Sequence, residues 1–186
     1  MSRVSGRLAA ELKQTRPFQS RRQEGTLALL RTADVVRRTV SAVVAPSGIT
    51  LQQYNVLRIL RGAGTEGLPT LEIASRMIES SPGITRLLDR LEKKGLVARV
   101  RCPKDRRQVL CTATPGALRL LAALDAPVHQ ADDGALRMLS DRQTVTLIAL
   151  LDAIRTGSGP RKDPGASSPH RNTGAREASR KLKEKT

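Results

Sequence analysis

The sequence predicts a mainly α-helical chain in which two short helices joined by a tight link are followed at once by a two-stranded β-hairpin, with longer helices at either end. Three observations carry that reading. Apolar residues recur at spacings of three and four through most of residues 26–155, the period of a helix with one buried face. Alternation replaces that period only in "LVARVRC" and "QVLCTAT", which flank the polar stretch "PKDRR" and so read as two strands around a turn. Helix-start signals such as "ITLQQY" and "LSDRQ" stand where the helical periods begin.

The elements follow in order. Residues 1–22 hold six basic residues, one acid and Pro17, and read as a basic arm or a frayed first helix. Leu27, Leu30, Ala33, Val36 and Val40 mark a helix over about 26–44, ended by "APSG". Thr50 and Gln53 form a capping-box pattern flanked by Ile49 and Tyr54, which predicts a helix over about 51–61. "GAGTEGLP" reads as a loop. Thr70 is the expected cap of a short helix whose inner face is Ile73, Ala74 and Met77. Ser81 is the expected cap of the next, with Pro82 in its first turn and Gly95 as its stop. A long helical segment from about Gly116 is expected to break near Pro127 and again at "DDG", and Ser140 with Gln143 predicts a last helix. Residues 157–186 form a basic tail whose composition predicts disorder; the folded domain is expected over 23–156.

Composition narrows the function. At 186 residues the chain suits one domain with tails, and 33 Lys and Arg against 17 Asp and Glu give a net charge of +16, which favours polyanionic partners. The opening "MSRVSGRLAAELKQ" has no apolar signal-peptide core, so a cytoplasmic, nucleoid-associated protein without membrane contact is expected. No Gly-rich phosphate loop, "GxSxG" or "HExxH" occurs, so no enzyme and no cofactor are expected. Two cysteines and two distant histidines do not compose a zinc site. Cys102 and Cys111 are expected as free thiols, or as a redox pair if the hairpin takes a diagonal register.

The functional constellation lies in residues 80–108. The helix "ITRLLDRLEKK" has an apolar stripe of Ile84, Leu87, Leu88 and Leu91, and an outer face of Thr85, Arg86, Asp89, Arg90 and Lys93. A helix of this kind fits the major groove, where Arg86 offers two donors to guanine, Thr85 a hydroxyl or methyl, and Asp89 an acceptor. Ser81, Lys94 and Arg99 are expected at the DNA backbone. On the hairpin tip, Arg106 and Arg107 supply guanidinium groups suited to a narrow, negative minor groove, and Asp105 holds a neighbouring arginine in shape. The rival reading is a non-specific architectural nucleic-acid binder, which the basic ends favour and the scarcity of aromatics (one Tyr, one Phe) opposes. The basic ends are expected to add affinity without sequence information.

"TLQQYNVLRIL", then "ITRLLDRLEKKGLVAR" followed at the proper distance by "DRR", and later "LSDRQTVTLIALL", resemble the MarR family of bacterial winged helix-turn-helix transcriptional regulators over roughly residues 22–155. The resemblance implies a homodimer with interleaved terminal helices on a pseudo-palindromic double-stranded DNA site, acting as a repressor responsive to a small-molecule effector bound between the dimerisation helices and the DNA-binding lobe. It further implies that Thr85, Arg86 and Arg90 meet bases or backbone, and that Asp105 and Arg107 are a paired wing set with Arg107 in the minor groove. Two departures stand out. "ATPG" is one residue shorter than the family's junction after the wing and begins with alanine, and Tyr54 and Phe18 are the only aromatics, so Tyr54 is expected in the core or dimer interface in preference to ligand contact.

Overall fold

The computed structural model describes residues 7–79, 83–102 and 108–157. Helix α1 (Arg7–Glu11) precedes α2 (Arg21–Val44), so the segment expected as arm or frayed helix contains a short helix, and α2 begins five residues earlier than Thr26. Ser20 sets that start: its side chain accepts from the Gln23 amide. After a 3₁₀ turn at Ala45–Ser47, Gly48 takes a left-handed conformation and the chain enters α3 (Leu51–Ala63). Both halves of the predicted capping box are formed there, Gln53 N–H donating to Thr50 Oγ1 at 3.2 Å and Thr50 N–H to Gln53 Oε1 at 3.0 Å. Ile49 and Tyr54, each 4% exposed, close over that turn as a hydrophobic staple does.

The expected loop before the next helix contains a second 3₁₀ turn (Gly64–Glu66) and a two-residue strand, β1 (Leu68–Pro69). Helix α4 (Thr70–Arg76) follows, with Pro69 and not Thr70 at the cap position and no side-chain cap bond. Helix α5 (Ile84–Lys93) starts from Gly83, again without a side-chain cap; Ser81 and Pro82 lie outside the described residues. It stops as predicted at Gly95, whose φ is 67°, with Gly95 N–H on Glu92 O at 2.8 Å and Leu96 N–H on Leu91 O at 2.9 Å.

Strands β2 (Val97–Arg101) and β3 (Val109–Ala113) pair antiparallel from Val97↔Ala113 to Arg101↔Val109. The sheet has a third strand that the pattern did not predict: β1 adds to β3 through Leu68↔Cys111 and Pro69↔Leu110, giving the order β1-β3-β2. Thr114 then caps α6 (Pro115–Leu136), accepting from the Ala117 amide while Pro115 occupies the first helical position. This is how the shortened "ATPG" junction is set.

Helix α6 does not break at Pro127 or at "DDG". A proline removes one hydrogen bond and crowds the carbonyl four residues back, but Leu124 and Val128, each 5% exposed, anchor the helix in the core on both sides of it. Leu57, Leu60, Ile73, Leu88, Leu91, Cys111 and Leu121 are fully buried at the centre of that core, so α3, α4, α5, α6 and β3 share one apolar interior. Helix α7 (Asp141–Gly157) belongs to a second unit beginning at Leu139. Its cap is the predicted one, with Ser140 N–H donating to Gln143 Oε1 at 2.8 Å. None of its residues is buried. Among the described residues no helix is long and apolar enough to cross a membrane.

Candidate nucleic-acid interface

Helices α4 and α5 form a helix-turn-helix whose second member presents its polar face outward. Ile84, Leu88 and Leu91 are buried, which fixes the rotation of α5 about its axis. At about 100° per residue, Thr85, Arg86, Asp89, Arg90 and Lys93 then fall within an arc of roughly 140°. The structure divides this arc in two. Arg86, Arg90 and Lys93 are exposed and make no ion pair within the described residues, so three cations stand free on one edge.

The other edge is occupied. Arg99 Nη1 lies 2.7 Å from Asp89 Oδ1 and 3.4 Å from Glu92 Oε2, and Arg99 Nη2 donates to the Thr85 carbonyl at 3.4 Å. Arg99 and Asp89, expected to meet the DNA backbone and a base, are thus partners of each other. The cause is strand alternation: Arg99 is in phase with buried Val97 and sits directly across from Cys111. Its side chain is only 22% exposed, and burial that works against its charge is outweighed by the Asp89 hydrogen bond and the nearby Glu92, so its pKa stays above the ordinary arginine value. Lys94, expected at the backbone, donates to the Gly48 carbonyl and so ties the end of α5 to the start of α3. Glu92 carried no role in the sequence reading, although its spacing from Asp89 places both carboxylates on one side of the helix.

The hairpin stem is paired out to Cys102, whose N–H donates to Gln108 O at 2.9 Å. It leads to the tip directly after the recognition helix; Asp105, Arg106 and Arg107 themselves lie outside the described residues. The stem also bears on the two cysteines, expected as free thiols or, in a diagonal register, as a redox pair. Cys102 faces Gln108, three residues from Cys111, an offset of roughly 10 Å along the strand, whereas disulfides need Cα atoms within about 7 Å. Both thiols are free. Cys111 is fully buried and burial pushes its thiol pKa up, opposed by Arg99 opposite it. Titration of the native protein with an aromatic disulfide reagent should therefore modify Cys102 promptly and Cys111 only on unfolding; two equally fast thiols would contradict the buried placement.

A cleft of ≈440 Å³ opens between α2, the start of α3 and α5, lined by Asp34, Arg37, Arg38, Gln52, Glu79 and Arg90 among others. Arg37 donates to Asp34 and holds its carboxyl below the ordinary carboxylate range. Arg37 also reaches Glu79 at 3.7 Å. Tyr54 does not line this cleft; it is buried in the core, with Arg58 stacked 5.9 Å from its ring centroid.

Comparison with known proteins agrees with this geometry. The MarR family model matches residues 49–109. An HTH-type transcriptional repressor of Mycobacterium tuberculosis is 31% identical over 126 residues, covering 68% of this chain and 89% of the relative. A MarR transcription factor from Planctomyces limnophilus is 40% identical, with a TM-score of 0.57 over 73% of this chain and 98% of that one. A variant of E. coli MarR, complexed with operator DNA, is 26% identical with a TM-score of 0.63 over 68% of this chain and 90% of that one. The family model spans α3, the helix-turn-helix and the hairpin as far as Val109, the likeness to the Planctomyces protein extends over 73% of the chain, and the chain belongs to the MarR family of winged helix-turn-helix DNA-binding transcriptional regulators.

Proposed function

We propose that the protein acts as a homodimeric, effector-responsive repressor that binds a pseudo-palindromic DNA site. The observation that carries this reading is the outward face of α5, where Arg86, Arg90 and Lys93 stand exposed beside a hairpin that continues toward Asp105, Arg106 and Arg107. Arg86 and Arg90 are the base-reading residues, with Thr85 beside them, and Lys93 meets phosphate, since an ammonium suits a point contact and a guanidinium a two-donor one. Arg107 enters the minor groove.

The apolar surface of the terminal helices supports the dimer. In α7, Val145, Ile148, Leu150 and Ile154 are 51–66% exposed, and Leu30 of α2 is 62% exposed; apolar side chains of this kind are what a homodimer interface covers. A two-fold axis through those helices would place two recognition helices about 34 Å apart, one turn of DNA. The cleft beside Arg90 is the effector site; Arg37 and Arg38 are already paired there with Asp34 and Glu79, so a polar ligand would bind by exchanging partners with these ion pairs. The negative regulatory sign rests on the similarity to the M. tuberculosis repressor.

Selection of bound duplexes from a random library, with sedimentation of the same protein, tests the reading. An inverted repeat with half-site centres about ten base pairs apart and a dimeric mass are the expected results. Strong retention of DNA without an enriched motif would instead establish a non-specific architectural binder.

A further inference from the structure

We propose that Arg99 is a specificity-determining positioning residue: it withdraws the carboxylates of Asp89 and Glu92 from the DNA and ties the hairpin to the recognition helix. This rests on the DNA-reading role proposed above and assigns its regulation to a residue that does not itself read a base.

The geometry gives Arg99 three acceptors on one helix edge, the Thr85 carbonyl and the two carboxylates. Asp89 and Glu92 are each 45% exposed, so without Arg99 two uncompensated carboxylates would stand on the face turned to phosphate. A released aspartate would also accept from cytosine N4, adding a preference that the native surface lacks. With Arg99 in place the net charge of that edge falls from two negative charges to one, and the side chains left facing DNA are Arg86 and Arg90, which read bases, and Lys93, which meets phosphate. The same contact bridges β2 to α5, so the direction in which the hairpin leaves the helix depends on it. Lysine would not substitute, because a single ammonium cannot span carbonyl and carboxylates in one plane.

A double-mutant cycle on duplex affinity tests this with the full-length protein, using Arg99→Ala, the pair Asp89→Asn with Glu92→Gln, and all three together. Arg99→Ala should weaken binding to any duplex by about tenfold or more, because two carboxylates are released toward phosphate. The Asn/Gln pair should change affinity by less than about threefold, and the triple variant should recover most of the loss, a coupling that independent sites do not show. Motif selection on the same proteins should add cytosine for Arg99→Ala and leave the motif unchanged for the Asn/Gln pair. Additive losses would mean that Arg99 touches DNA directly, and a changed motif in the Asn/Gln pair would mean that Asp89 reads a base; either overturns the proposal. Should Arg99→Ala fail to fold, the Asn/Gln pair, which retains Arg99, still decides by its motif. Absence of any motif for the unmodified protein would overturn the regulator reading alone, since the affinity cycle needs only duplex DNA.

Discussion

Replacing Gly67 with alanine should destabilise the fold by about 3 kcal/mol or more, a fall in Tm of roughly 6–12 °C for a chain of this size. Two independent terms act in the same direction. Gly67 has φ 70° and ψ 178°, a region that a side chain enters only with strain of about 1–3 kcal/mol. A Cβ there would also stand 2.8 Å from the Cys111 carbonyl oxygen and 2.7 Å from Thr112 Cγ2. The threonine methyl can move; the backbone carbonyl cannot, because it belongs to the central strand of the sheet. Thermal unfolding measures the effect, and Gly62→Ala is the matched control. Gly62 lies inside α3 with nothing within 4 Å of its added Cβ, so alanine there should stabilise by about 0.5–1 kcal/mol. A Gly67→Ala protein as stable as the parent would mean that β1 does not close on β3 as described.

That glycine also marks the limit of what was legible in the chain. Features fixed by neighbours three to five residues apart were readable: the Thr50–Gln53 box, the Ser140–Gln143 cap, the stop at Gly95 and the alternation of the hairpin. Gly67 and β1 were not, because a two-residue strand has no period of its own and its partner, Cys111 facing Leu68, stands more than forty residues along the chain. Helix α6 passing through Pro127 was missed for a related reason, since the local rule favoured a break and buried Leu124 and Val128 overrode it.

At the interface, the outer face of α5 was legible from its period, but the division of that face was not. A sequence pattern gives each polar residue to solvent; only the pairing of β2 with β3 shows Arg99 turned inward toward Asp89 and Glu92. One signal was nonetheless present. Arg99 is in phase with Val97 on an alternating strand, and an arginine on a buried face requires acceptors.

Removing both Arg86 and Arg90 by alanine should all but abolish site-specific binding while leaving the fold intact. Each guanidinium contact to a base is worth about 1–3 kcal/mol of discrimination, so the pair together accounts for roughly 2–6 kcal/mol, a loss of about thirtyfold to more than a thousandfold in affinity. The fold should not follow. Neither residue has an ion pair within the described residues, and both are exposed. They stand four apart on one helix, where like charges repel by a few tenths of a kcal/mol, so the double variant should melt at or slightly above the parent. Stability and recognition therefore oppose each other on this edge of α5, as they do where a surface is shaped for a charged partner. The comparison that separates base reading from simple charge is Lys93→Ala. It should weaken all duplexes alike and lower the salt slope by about one unit, whereas the arginine variants should also lose preference among sequences. If the double arginine variant kept its ranking of sites and lost only overall affinity, both arginines would be phosphate contacts and base reading would have to come from elsewhere on the winged lobe.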